Sequence, residues 1–221
     1  MHLEDIAHAT FVLTLNDGRR LLIDPYMGMS FQGRFNYPSF QTSADFVLMT
    51  HEHLDHNYLG DIFNIPVVVR HQWHDKNLSI SSVFAWHDKF EGTKFGGGVR
   101  MKVIEADGVR IAHLGDVGEI LSDTQIAALG KIDILLMPVG GFYTINGDEA
   151  AGLAKRMDVR TIVPCHYKTS LCELPIEGPE RFLKHWLEQE VTFLNQNCLE
   201  VDKEPAGIVV LKDRWHLPKD A

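Results

Sequence analysis

The apolar run Phe46-Val47-Leu48-Met49 leads straight into Thr50-His51-Glu52-His53-Leu54-Asp55-His56, so three histidines and an aspartate fall within six residues. No other stretch limits the fold as strongly. A strand ending in such a cluster has to sit in a scaffold that gathers imidazoles and a carboxylate around one point. Neutral imidazole and carboxylate are the ligands that suit zinc, iron or manganese. In an extended segment residues two apart point to the same side, so His51, His53 and Asp55 share one side and His56 starts the other. That geometry suits two adjacent metals better than one. The plain alternative is a chance cluster of surface histidines, and structural context decides between the two.

The same arrangement recurs along the chain. Leu21-Leu22-Ile23 is followed by Asp24, Val83-Phe84-Ala85-Trp86 by His87, the run Ile111–Gly115 by Asp116, and residues 162–165 by His166. Strands of one sheet ending on a common rim would bring these groups together, with a rigid scaffold carrying the loops that bind. Strands are predicted over residues 10–15, 20–23, 46–49, 67–70, 82–86, 99–105, 110–113, 134–137, 161–164, 191–194 and 208–211, where β-branched residues concentrate between turn signals. Asn16-Asp17-Gly18 and Asp107-Gly108 mark hairpins. Helices are predicted over 122–129, opened by a Ser-x-x-Gln capping pattern, over 148–157, and over 179–190 with Phe182, Leu183, Trp186 and Leu187 on one face. Strands dominate the first half and alternate with helices later. This fits an α/β fold of two packed sheets with helices outside, as a single domain over residues 1–221.

The formal net charge of -9 and the absence of a dense Lys/Arg run argue against a nucleic-acid partner. No apolar stretch approaches the ~20 residues of a membrane span, and the N-terminal residues lack a signal-peptide pattern. Three cysteines (Cys165, Cys172 and Cys198) cannot all pair within the chain, and a reduced, cytoplasmic protein is expected. Cys165, beside His166, reads as a buried strand cysteine rather than a ligand.

Thr50-His51-Glu52-His53-Leu54-Asp55-His56 matches in full the Thr-His-x-His-x-Asp-His signature of the metallo-β-lactamase superfamily, which the chain resembles. His8-Ala9-Thr10-Phe11 with Leu22-Ile23-Asp24-Pro25, Ala112-His113-Leu114-Gly115-Asp116, the segment from Pro138 to Thr144, and Ile162-Val163-Pro164-Cys165-His166-Tyr167 look like further family segments in the expected order. The resemblance covers most of the chain and is nearest to the short, stand-alone metal-dependent hydrolases, a branch with lactonase-like members. It implies a four-layer αβ/βα sandwich with a binuclear site at one edge. His51, His53 and His87 would hold the first metal, Asp55, His56 and His166 the second, and Asp116 would bridge them. The metals implied are two divalent ions, zinc first, with manganese or iron as alternatives. For the third nitrogen of the first site the sequence also offers His71, His74 and His113. His87 is favoured because it ends the strand before the loop Gly96-Gly97-Gly98, as in the family. His113 reads as a packed or supporting histidine and His185 as structural. Asp24 would support the site from behind, or is simply a strand-end aspartate before a turn proline.

The chemistry implied is hydrolysis of a small ester, lactone or phosphodiester by a metal-bridging hydroxide, with Asp55 orienting the nucleophile or relaying a proton. His8, Tyr143, Tyr167 and Lys168 are candidate substrate contacts, each with ordinary packing or solvent exposure as the alternative. A small-molecule substrate is the expected partner. The aromatic residues of segment 31–40 read as a substrate wall, a homo-oligomer contact or a packed loop. An iron-dependent redox enzyme and a non-catalytic metal-binding protein are the rival functions. Glu52 occupies the variable position of the motif, whereas diiron oxidoreductases of this superfamily carry a glutamate at the position of His53.

Overall fold

The computed structural model describes residues 1–201 and 206–217; the remaining residues of the 1–221 span lie outside the described residues. In chain order the strands are β1 (His2–Ala7), β2 (Thr10–Thr14), β3 (Arg20–Ile23), β4 (Phe46–Leu48), β5 (Val67–Val69), β6 (Trp73–His74), β7 (Leu78–Trp86), β8 (Gly98–Ala106) and β9 (Val109–His113). Helix α1 (Asp123–Leu129), β10 (Ile132–Pro138), α2 (Gly147–Ala154), β11 (Val159–Cys165) and α3 (Glu180–Leu183) alternate, before β12 (Val191–Phe193), β13 (Cys198–Glu200) and β14 (Gly207–Val210). They form a six-stranded sheet, β13-β1-β2-β3-β4-β5, and an eight-stranded sheet, β12-β14-β11-β10-β9-β8-β7-β6.

Period-two patterning builds the layers. Phe11 and Leu13 of β2 and Leu21 and Ile23 of β3 face the second sheet, where they meet Ile104, Ile111, Ile134, Leu136 and Val163. Val12, Leu22 and Val47 point to the opposite side, under Tyr26, Phe35, Tyr37, Leu174 and Ile176. The parallel strands β9, β10 and β11 are buried on both faces, as parallel strands are. Leu135 and Met137 alternate with Ile134 and Leu136 to pack against Leu129 of α1, Ala150 and Leu153 of α2 and Phe182 of α3. Among the described residues, the outer cover of the first sheet is loop with short 3-10 turns at Phe31–Gly33 and Arg214–His216, rather than α-helix. Among the described residues no helix is long and apolar enough to cross a membrane.

Local signals act as expected. Ser122 and Gln125 make a reciprocal capping box on α1, and Asn146 and Glu149 make another on α2. Asp107 and Gly108 both take positive φ, 53° and 78°, giving the two-residue turn that joins β8 to β9. The sequence does not predict β1, β6 or β13. The third helix is shorter than predicted. Phe182 is buried, but Leu187 is 61% exposed, so the apolar stripe finds nothing to pack on beyond Trp186. Cys165 and Cys172 are buried. Phe35 and Tyr37 are core residues of the packed loop 31–40.

Candidate metal centre

The C-terminal ends of β3, β4, β7, β9 and β11 meet on one rim. Parallel pairing aligns β3 with β4 and β9 with β10 and β11, so each delivers the residue after its last apolar position to the same place. Asp24 follows β3, Thr50 and His51 follow β4, His87 follows β7, Asp116 follows β9 and His166 follows β11. Two close backbone approaches hold the frame. A Cβ on Gly118 would lie 2.1 Å from the carbonyl oxygen of His87, and one on Gly140 would lie 2.3 Å from that of His166. Only glycine permits these contacts.

Two sets of donors can face an ion; in a third grouping, Asp24 with His51 and His56, the carboxylate is already taken by hydrogen bonds from Thr50 and His56. One nitrogen or oxygen from each of His51, His53, His87 and Asp116 lies within 4.8 Å of the others, and the same holds for His8, Asp55, His56 and His166. Asp116 faces both sets. Its Oδ2 is 3.2 Å from His166 Nε2, 3.4 Å from His87 Nε2 and 3.7 Å from His51 Nε2, while its Oδ1 is 3.1 Å from His56 Nε2. All these residues are buried except His53, which is half-buried.

Partners behind the rings fix which nitrogen faces the centre. Asp24, wholly buried, accepts from the Thr50 backbone N–H at 2.7 Å, the Thr50 hydroxyl at 2.6 Å, His56 Nδ1 at 2.9 Å and His113 Nε2 at 2.9 Å. With its hydroxyl hydrogen given to Asp24, Thr50 Oγ1 accepts from His51 Nδ1 at 3.0 Å. The Tyr143 carbonyl accepts from His87 Nδ1 at 3.1 Å. This assignment of tautomers turns Nε2 of His51, His56 and His87 toward Asp116, the supporting pattern usual behind metal-bound histidine.

Burial and neighbouring charge then set the protons. Burial, with the charge of His56 added, pushes His51 down to about 3. Burial, with His166 beside it, pushes His8 down to about 4. Both rings are therefore neutral with a lone pair to offer. Burial opposes charge on His56 and His87 too, but Asp116 outweighs it and raises both. Burial likewise works against the ionised forms of Asp116, Asp55 and Asp24, but His166 and His56 hold Asp116 low, His56 holds Asp55 low, and His113 and His56 hold Asp24 low.

The donor set fits a divalent cation. Among the described residues, His8 Nδ1 and Nε2, His51 Nε2, His56 Nε2 and Asp116 Oδ1 are buried without a hydrogen-bond partner. An unsatisfied buried polar atom costs about 1–3 kcal/mol, and here several such atoms converge on one rim. A sign follows for pH. His56 and His87 hold their protons above the ordinary histidine range in the metal-free protein, so a cation must displace them. Metal loading is expected to release protons, and affinity to fall as pH drops through and below neutrality. Calorimetric titration in two buffers of different ionisation enthalpy checks this; equal heats in both would contradict it.

A cleft of about 540 Å³ opens over the centre, lined by Phe31, His53, Asp55, His87, Thr93, Lys94, Phe95, Gly96, Asp116, Tyr143 and Leu174. Tyr143 thus meets the cleft. Tyr167 does not; it packs on the helical side of the second sheet. Lys168 is solvent-exposed, with its backbone N–H bonded to Glu177, and is not among the lining residues. His8 lies in the second donor set rather than on the cleft wall. His71 and His74 are exposed and belong to neither set. His113 supports Asp24, and His185 bonds Asp148 at 2.7 Å. The sequence reading missed Thr93, Lys94, Phe95 and Leu174. The first three ride on a loop organised by Asp88, which accepts from the backbone N–H groups of Phe90, Gly92, Lys94 and Phe95. An aspartate directly after His87, followed by spaced glycines, is the available signal.

Paired sheets with imidazole and carboxylate donors on a shared rim define a metal-binding α/β sandwich. The profile of the Beta-lactamase superfamily domain matches residues 2–166, and the chain belongs to that superfamily. It is 28% identical over 207 residues to a UPF0173 metal-dependent hydrolase of Pyrococcus abyssi, covering 81% of this chain and 89% of the relative. A UPF0173 metal-dependent hydrolase of Caldivirga maquilingensis is 30% identical over 203 residues, with 76% and 82% covered. A Thermotoga maritima crystal structure assigned to the metallo-β-lactamase superfamily superposes with a TM-score of 0.78 at 27% identity, covering 96% of this chain and 99% of that one.

Proposed function

We propose that the protein is a hydrolase working with two divalent ions, zinc foremost, on a small ester, lactone or phosphodiester. The observation carrying this reading is Asp116, buried between two donor sets and within 3.7 Å of four histidines. His51, His53 and His87 would hold one ion, Asp55, His56 and His166 the other, with Asp116 shared. When bound, such ions supply Lewis acidity and lower the pKa of water toward neutrality.

The remaining work falls to the protein. Asp55 is ionised and reaches the cleft, so its carboxylate can orient a water or accept a proton. Phe31, Phe95, Tyr143 and Leu174 give the cleft an apolar wall that positions substrate and limits bulk water. The cleft volume suits a small molecule, and the acidic chain disfavours a polynucleotide.

The test is a panel of lactones, carboxylic esters and phosphodiesters assayed on chelated protein reloaded with zinc, manganese or iron. Turnover restored by zinc or manganese on one class supports the proposal. Oxygen uptake by the iron-loaded form without hydrolysis replaces it with a redox enzyme. Metal uptake with no turnover on any class leaves a metal-binding protein.

A further inference from the structure

His8 stands outside the ligand pattern carried by the His51–His56 motif, His87, Asp116 and His166, and its surroundings are unusual for a packing residue. It follows β1 with φ of 61°, a left-handed conformation that a non-glycine residue adopts at a cost. That turn carries its side chain inward, where the ring is fully buried. Neither Nδ1 nor Nε2 finds a hydrogen-bond partner. Nε2 lies 3.4 Å from Asp55 Oδ2, close but long for a hydrogen bond. The edge-on ring of Phe35, 5.0 Å away at 87°, holds the imidazole in place, and the His166 ring lies 4.0 Å off. The backbone joins the same pair, since the His8 carbonyl accepts from the His166 N–H at 2.8 Å. A buried imidazole with both nitrogens idle and a strained backbone is expensive unless something uses it.

We infer that His8 is a third nitrogen ligand of the second ion, completing a set of His8, Asp55, His56 and His166. The inference rests on the two-ion reading. Each ion would then be offered three imidazoles, the second with Asp55 as its own carboxylate beside the shared Asp116. The second ion would be enclosed by side chains from β1, the β4 loop and the end of β11. Substrate access would remain from the side of His53 and His87, which line the cleft while His8 does not. His8 would therefore set affinity and placement of that ion without meeting substrate.

The experiment is a zinc titration of chelated protein, wild type against His8→Asn and His8→Ala, recording stoichiometry and stepwise affinity. Asparagine tolerates the left-handed backbone. Wild type should take two ions. The variants should keep the first at unchanged affinity and bind the second roughly 10–100-fold or more weakly, at least the loss known for supporting partners. Two ions at wild-type affinity in both variants would overturn the inference and leave the two-ion reading intact. A single ion in wild type would overturn both. Cobalt-loaded wild type gives an answer that needs no variant. Shifted imidazole N–H resonances from six histidines support ligation by His8, and resonances from only the five others refute it.

Discussion

Replacing Asp116 with alanine is expected to lower kcat/KM by about 10³-fold or more and to cut bound metal together with it. The carboxylate sits 3.1–3.7 Å from Nε2 of His56, His166, His87 and His51, so its removal takes away the group common to both donor sets. It also removes the charge that keeps protons on His56 and His87. Several kcal/mol of charge stabilisation depend on correctly held ions, and every 1.36 kcal/mol is tenfold in rate. Asp116→Asn keeps the volume and should fall nearly as far, because an amide neither bridges two cations nor balances their charge. Elemental analysis beside initial rates checks this. Near-normal turnover with two ions retained in either variant would remove Asp116 from the mechanism.

Asp24→Ala should produce the largest loss of stability, about 3–5 kcal/mol in the metal-free protein, the range for breaking a buried ionic contact. Asp24 accepts four hydrogen bonds, and alanine leaves Thr50, His56 and His113 without their acceptor. The sign with pH is fixed by the direction of its shift. Burial would raise its pKa, but His113 and His56 hold it far below the ordinary value. An aspartate depressed on folding stabilises fully above its unfolded pKa, near 3.9, and loses that contribution as pH falls below it. Urea unfolding of wild type and Asp24→Asn at a series of pH values should therefore show a constant gap from neutrality down to about pH 5, narrowing only below about pH 4. A gap that instead widens as pH falls from 7 to 6 would mean that protonation of histidine, rather than ionisation of Asp24, governs it.

What the sequence reveals of this fold follows from the range of the forces involved. The His51–His56 motif is local, and the strand before it is announced by a continuous apolar run, so both are plain in the sequence. The pairing of Asp24, His87, Asp116 and His166 at one rim followed from a repeated strand-end pattern, because parallel strands align their ends. The sequence marks His8 only as a candidate substrate contact. Its closeness to His166 comes from a contact between chain segments far apart in sequence, which no spacing rule reveals. β1 is not legible because its sequence, His2-Leu3-Glu4-Asp5-Ile6-Ala7, carries two acidic residues, one of which, Asp5, is buried. The two-residue β6 and three-residue β13 are too short to show a period. Tyr167 follows His166, which suggests a place beside substrate, yet in the strand exit successive side chains diverge and it turns to the helical core.

The two donor sets draw on both halves of the sandwich. His8, His51, His53, Asp55 and His56 leave the six-stranded sheet, while His87, Asp116 and His166 leave the eight-stranded one. Cations seated there would act as a clasp across the mouth of the molecule, and the resistance of the fold to opening would become a function of the surrounding metal supply. At free metal 100-fold above its dissociation constant, one such ion adds about 2.7 kcal/mol to the folded state. Chelation should therefore part the two sheets at the rim before it disturbs the apolar layer between them. A cell that starves the protein of metal would also expose it to proteolysis, starting at the loops around the site.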